Sequence, residues 1–358
     1  MSTATEIDIL IIGTGGLLSN SVSIQMLCRS LPSIGGYLAM QTLPRAASMF
    51  LCAALTITLT SGTSTAFASS RSDFHEPTFE TARPVGQDFD GRILSPFDVP
   101  TRPAPDGVNR SFFAGTGGPG DVGSSVVDDV APPETTFGDG EPLSIFEPDQ
   151  RSRAGVTTTF PSRAVVHTTA TGRGGCSGFL VSADTVLTAG HCLHPGGTGS
   201  AADFYTNVRV APGRNGSTLP YGSCGRTTMW TDQTWIDSSN TNQDWGVIKL
   251  DCAVGNTTGW FGFRWQSASY DGTHITIRGY PGDKQAGTMW FHGGPIRQSL
   301  GNKLHYTVDT VGGQSGSPVY NDDLSAIAIH SNGRTPQVDY NKGTRITQSL
   351  FEFIDGVR

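Results

Sequence analysis

No stretch of this 358-residue chain carries the basic stripe with interleaved aromatics that nucleic-acid binding uses, so nucleic acid is excluded as a partner. No run reaches the roughly 20 apolar residues of a membrane span. No internal repeat points to a solenoid or propeller. Cysteine is scarce, with six residues at spacings that fit no zinc pattern. An EF-hand type of ligand run is also missing, so no metal and no cofactor are expected, while calcium on a surface loop stays open. Near the N-terminus, Ile9-Leu10-Ile11-Ile12-Gly13-Thr14-Gly15-Gly16 begins like a dinucleotide-binding turn. It lacks the third glycine, the following helix and the later acidic residue, and fails as one.

Charge is sparse, at 15% of residues, and unevenly placed. Residues 69–150 hold 15 Asp+Glu against 5 Lys+Arg, a balance of -10. Residues 151–358 hold 17 Lys+Arg against 14 Asp+Glu, a balance of +3. The acidic stretch also carries roughly half of the 21 prolines, a Gly115-Thr116-Gly117-Gly118-Pro119-Gly120 tract and little periodicity. That composition reads as a flexible prosegment over 69–150, with a plain linker as the alternative. Ahead of it, Arg45 precedes an apolar run over 46–60, and Ala66-Phe67-Ala68 follows. This is the pattern of a secretory signal peptide, read as 40–68, with Met40 as the true start and 1–39 as a doubtful extension. A short uncleaved membrane anchor is the rival reading. Secretion implies an oxidising, extracellular compartment and no membrane attachment after signal cleavage. Cys28 and Cys52 leave with the signal region, and Cys176, Cys192, Cys224 and Cys252 form an even set. We pair Cys176 with Cys192, and Cys224 with Cys252.

From 151 onward the pattern is all-β. Short β-type runs at 164–169, 178–182, 185–188, 205–211 and 245–250 are separated by Gly, Asn and Asp. A second set follows at 273–279, 288–292, 304–309, 318–320 and 326–330. Two sets of about 90 residues each predict two barrels, about 151–256 and about 257–358. Ile346, Leu350 and Ile354 recur at spacing four, which predicts a short C-terminal helix.

The chemistry centres on Gly312-Gly313-Gln314-Ser315-Gly316-Ser317-Pro318, a serine among glycines that let the backbone approach a substrate. A serine needs a base to take its proton and a carboxylate to orient that base. Leu187-Thr188-Ala189-Gly190-His191-Cys192 offers the histidine, and Asp244-Trp245-Gly246-Val247-Ile248 offers the acid. Ser315 is therefore the expected nucleophile, His191 its base and later acid, and Asp244 the orienting carboxylate. The N–H groups of Gly313 and Ser315 are the expected oxyanion donors. The hydrolase elbow G-x-S-x-G does not fit, because Ser317 stands where its last glycine belongs.

The chain order His, Asp, Ser and the Thr188-Ala189-Gly190-His191-Cys192 and Gly313-Gln314-Ser315-Gly316-Ser317-Pro318 motifs resemble the chymotrypsin-like serine proteases. More narrowly, from about Ser144 to the end the chain resembles the glutamyl endopeptidases, their glutamate-specific secreted branch. Arg163-Ala164-Val165-Val166-His167, Gly279-Tyr280-Pro281-Gly282-Asp283-Lys284 and His330-Ser331-Asn332-Gly333 support this. The resemblance implies two orthogonal six-stranded antiparallel β-barrels with the triad in the cleft between them. It also implies polypeptide substrates cut after Glu, more weakly after Asp, with His330 and Thr310 as the S1 donors. A monomer is expected. Trypsin-like members carry an aspartate before the nucleophile, where Gln314 stands here. Asp309 lies where trypsin places its Lys/Arg-binding carboxylate, so Lys/Arg specificity is the runner-up. A non-catalytic binding protein on a protease scaffold is a third reading.

Overall fold

The computed structural model describes residues 78–96, 111–116 and 144–358. The signal-like run and the start-site question lie outside the described residues. The leader contributes β1 (Pro84–Asp88), β2 (Ile93–Leu94) and β3 (Phe112–Phe113), and β4 (Ser152–Arg153) opens the body. Then come β5 (Val165–Ala170), β6 (Arg173–Leu180), β7 (Thr185–Thr188), β8 (Arg209–Pro212), β9 (Arg226–Asp232) and β10 (Gly246–Leu250). Helices α1 (Gln233–Ser238) and α2 (Gly255–Thr258) flank β10. The second half holds β11 (Gly262–Arg264), β12 (His274–Gly279), β13 (Trp290–Ser299), β14 (Lys303–Tyr306), β15 (Pro318–Asn321), β16 (Ser325–Asn332) and β17 (Asn341–Arg345). Helix α3 (Gln348–Val357) ends the chain.

Side-chain alternation explains the strands. In β12, Ile275 and Ile277 are fully buried while His274 between sheet and solvent is exposed, the period-2 pattern of a sheet with one wet face. The second half closes on itself: β12, β13, β14, β17, β16 and β15 pair in turn, and β15 pairs back to β12. This is one six-stranded barrel. The first half departs from the second expected barrel. Its order is β2-β1-β9-β10-β7-β6-β5-β8, an open sheet of eight strands. The free edge of β9, which closure would have given to β8, is taken by β1 over Pro84↔Asp232 to Asp88↔Thr228. Strand β8 reaches only Cys224, two residues ahead of β9, through a Val210–Cys224 bridge. The leader is thus structured at two places, and the flexible reading of 69–150 does not hold for residues 78–96 and 111–116.

The halves share a core. Phe160 and Phe179 from the first half pack on Phe261, and Phe261 packs on Tyr320 of the barrel. Helix α3 starts where the Thr347 side chain accepts from the Leu350 N–H, a serine/threonine cap. It buries Leu350, Phe351, Ile354 and Val357 against this core. Ile354 has no exposed surface. Ile354→Ala is therefore expected to lower stability by about 2–5 kcal/mol, through lost transfer energy and the cavity left behind. Urea unfolding of the two proteins checks it, and a change under 1 kcal/mol would mean the helix packs loosely.

Candidate active site

Strand register brings the first two groups together. Strands β7 and β10 are antiparallel with Thr188 opposite Gly246, so continuing two residues past each end sets Gly190 opposite Asp244. His191 follows in the tight turn Gly190–Cys192. The turn comes so close to the acid that a Cβ at Gly190 would lie 2.7 Å from Thr231 Oγ1 and 3.1 Å from Asp244 Oδ1. Only a glycine fits there without movement. Cys192 is bonded to Cys176 on β6, which ties this turn to its own sheet, and Cys224 is bonded to Cys252.

Asp244 is fully buried and its two oxygens are both used. Oδ1 accepts the His191 backbone N–H at 2.8 Å, and Oδ2 meets His191 Nδ1 at 2.7 Å. Burial alone would raise this carboxyl. The charge and hydrogen bonds of His191, with the Lys303 ammonium behind them, outweigh burial and hold it below the usual carboxylate range. An ionised Asp244 accepts the Nδ1 proton, which leaves Nε2 of His191 as a base toward the cleft.

The serine turn is held from both halves. Gly313 and Gly316 have φ of 95° and 88°, left-handed values that glycine adopts without strain. The Ser177 N–H on β6 donates to Ser315 O at 2.8 Å, and the Ser177 hydroxyl donates to Gly313 O at 2.9 Å. Gly316 N–H donates to His330 O at 2.7 Å, and His330 N–H to Ser317 O at 2.9 Å. Among the described residues, the N–H groups of Gly313 and Ser315 donate to no protein acceptor. Gln314 is buried, and its Oε1 accepts from the Val311 N–H and from Arg151. Ser315 and His191 line one cleft of about 700 Å³ together with Thr310, His330 and Ser144. No hydrogen bond joins the Ser315 hydroxyl to the His191 ring, a separation common in unliganded sites.

At the far end of the cleft, His330 Nδ1 meets the Tyr306 hydroxyl at 2.7 Å. Burial pushes the His330 imidazole down to about 3, and the nearby His191 and Lys303 push the same way, so the ring is neutral at ordinary pH. Tyr306 is buried and kept protonated; when its O–H donates to Nδ1, His330 carries its proton on Nε2. The Thr310 hydroxyl is buried with no hydrogen-bond partner among the described residues. Asp309 is turned away: its carboxylate accepts the N–H groups of Phe146 and Gln150 at 2.7 and 2.8 Å. Two Cys/His/Asp groupings are compact enough for an ion, Cys176-His191-Cys192 and Cys224-Asp251-Cys252. Each contains a disulfide, whose sulfurs are no longer thiolate ligands.

Four site residues carry no sequence signal. Ser177, Tyr306 and Lys303 stand in ordinary strand segments, and Ser144 sits before the first body strand. Lys303 is buried, and its ammonium donates to Ser331 Oγ, Asn332 Oδ1 and Thr344 Oγ1 at 2.9–3.0 Å. Burial brings it down to about 7 against the pull of Asp244.

Comparison with known proteins shows which family the chain resembles. The sequence pattern of the trypsin-like peptidase domain matches residues 176–329. A glutamyl endopeptidase of Bacillus licheniformis is 45% identical over 217 residues, 58% of this chain and 67% of that protein. A Bacillus subtilis protein named an extracellular metalloprotease is 44% identical over 224 residues, 60% of this chain and 69% of that one. Among solved structures, a Glu endopeptidase in complex with MPD superposes with a TM-score of 0.55 at 29% identity, over 60% of this chain and 98% of that one.

The Tyr306–His330 contact yields a measurable outcome. Tyr306→Phe removes the donor to Nδ1 and is expected to let the neutral ring exchange between its two tautomers. Nitrogen-15 spectra of the His330 ring report this directly. An unchanged Nε2–H tautomer would show that another group sets the ring.

Proposed function

Because the chain belongs to the glutamyl endopeptidase-like branch of the trypsin-like serine peptidases, we propose that it is a secreted endopeptidase cutting after Glu, and more weakly after Asp. In this reading Ser315 Oγ attacks the scissile carbonyl while His191 Nε2 takes its proton. Asp244 steadies the imidazolium that forms. The tetrahedral oxyanion is met by the Gly313 and Ser315 N–H groups, whose lack of protein acceptors supports that role. His191 then gives its proton to the leaving amine, and water cleaves the acyl-enzyme by the same route in reverse.

One observation carries the specificity: the orphan Thr310 hydroxyl and the neutral His330 ring share the cleft with Ser315, while Asp309 faces the other way. A buried carboxylate costs several kcal/mol unless donors meet it, and these two groups are donors. Asp309, already satisfied by two backbone N–H groups, is a poor selector for Lys or Arg. The body over 151–358 balances at +3, and with Glu147 and Asp149 of 144–150 at +1, so net charge adds little to this preference.

Processing fits the same site. The Ser144 carbonyl accepts from the Thr310 N–H at 3.3 Å and from Asn341 Nδ2 at 2.8 Å, so residue 144 lies on the cleft wall. A cut just before it frees an amine beside His330 and Thr310. The prosegment 69–143 would hold the precursor inactive until then, after removal of a signal over 40–68. Full activity in a precursor retaining residues 69–143 would remove that part of the proposal.

Two measurements test the enzyme. A serine-directed phosphonylating reagent should label Ser315 in the processed protein, and no labelling would leave the non-catalytic reading standing. Across peptides varying only P1, Glu should lead. His330→Ala should then lower kcat/KM for Glu by about 100-fold, from an unpaired charge worth about 2–3 kcal/mol, and leave neutral P1 substrates far less affected. Efficient cutting after Lys or Arg with Glu ignored would overturn the specificity.

A further inference from the structure

The leader makes more contacts with the body than a disposable segment needs. Strand β1 pairs with β9 through five consecutive residue pairs. Gly86 lies flat on the Trp230 ring, where an added Cβ would stand 2.5 Å from Trp230 and 2.8 Å from Met229 O. The Arg83 N–H donates to Oδ2 of Asp232 at 2.6 Å, and Asp232 is fully buried. Glu80 joins the two halves. Its carboxylate accepts from Asn240 and Asn242 at 3.0 and 2.6 Å, on the turn leading to Asp244, while its N–H donates to Asn302 at the head of β14. A second seat lies on β11, where Phe113 pairs with Phe263 at a ring separation of 5.5 Å under the Arg358 guanidinium. Thr116 and Trp260 close it with two reciprocal hydrogen bonds at 3.0 and 2.8 Å.

A cleaved peptide stays where its contacts outweigh the freedom it would gain on leaving. Here departure would bare the β9 edge, strip the buried Asp232 of a donor and unpin the Asn240–Asn242 turn. A bared strand edge is a template for another strand, and a carboxylate that loses a donor while staying buried is costly. The leader holds no cysteine between residues 69 and 143, so no disulfide would retain it. We propose that the leader is a permanent strand donor: after the chain is cut between 117 and 143, its stretches 78–96 and 111–116 stay seated on β9 and β11 as a noncovalent light chain. The processing proposed above decides when such a cut happens in nature; the seat itself does not depend on that reading or on peptidase activity.

The test separates the two. Full-length protein carrying Ser315→Ala, so that it cannot cut itself, receives a recognition sequence for an unrelated site-specific protease within 117–143. After complete cutting it is passed through gel filtration in native buffer at submicromolar concentration, and the main peak is analysed by denaturing mass spectrometry. The two pieces are expected at a 1:1 ratio. A main peak containing the body alone, with its thermal midpoint unchanged, would overturn the proposal. Gly86→Val and Phe113→Ser, made singly, attack the two seats. Each is expected to raise the fraction of released leader at least several-fold, and the milder Phe113→Ser serves if Gly86→Val does not fold. Retention at 1:1 in the double variant Gly86→Val with Phe113→Ser would show that neither seat holds the leader, and would equally overturn it.

Discussion

A carboxylate with no contact to solvent must be met by donors, and the way Asp244 is met orders the rest of the site. Removing an ionised carboxylate from water costs several kcal/mol, so its partners cannot be optional. Both donors come from one residue, His191, through its backbone N–H and its ring. That double contact requires the turn after β7 to touch the start of β10, which the β7–β10 register provides and Gly190 permits. The imidazole is thereby fixed in position, tautomer and orientation at once. The disulfide from Cys192 to β6 removes the remaining freedom of that turn.

The barrel and the open sheet are not merely adjacent; each holds the other's chemical group. Thr344 on β17 of the barrel donates to the Asp244 carbonyl at 2.9 Å, while Ser177 on β6 of the sheet grips the serine turn at Ser315 and Gly313. A relative slide of the two halves would break both contacts together. In the proposed reading, this reciprocal bracing would keep the Gly313 and Ser315 N–H groups, which have no acceptor among the described residues, ready for the oxyanion. Electrostatic catalysis depends on that preorganisation, because donors that must first turn toward the charge contribute far less.

The sequence made the site more legible than the scaffold. The glycine-rich serine turn and the histidine and aspartate motifs are short, local and chemically unusual, so each could be picked out alone. Ten of the strands were readable because β-branched and aromatic residues alternate within them, as in Ile275 and Ile277 of β12. Strand β17, Asn341-Lys342-Gly343-Thr344-Arg345, has no apolar side chain at all and is a strand only because β14 and β16 flank it. Strand β9, Arg226-Thr227-Thr228-Met229-Trp230-Thr231-Asp232, went unread although its threonines and Trp230 favour strands and Met229 and Trp230 are buried. The leader strands were unreadable for a different reason. Their stability lies in the body that receives them, and a proline-rich acidic stretch gives no local sign of that. Tyr306 was missed because its role is set by a partner 24 residues away in sequence.

In the proposed reading, the specificity end of the cleft draws no free cation from His330 or Lys303. His330 is neutral, and Lys303 behind it spends three N–H groups on Ser331, Asn332 and Thr344. Neither therefore offers a free cation to a bound carboxylate. Under the proposed specificity, Thr310 and His330 would hydrogen-bond it, which would distinguish a carboxylate from an alkyl chain by satisfied donors rather than by opposite charge. A site built this way is short of one positive charge for a fully desolvated anion. Residue 144, fastened to Thr310 and Asn341 on the wall of the same cleft, is where the chain can supply that charge, since cleavage before it turns a neutral amide into an ammonium group. In the proposed reading, activation and specificity are therefore one event: the cut that ends the precursor also completes the electrostatics of the pocket.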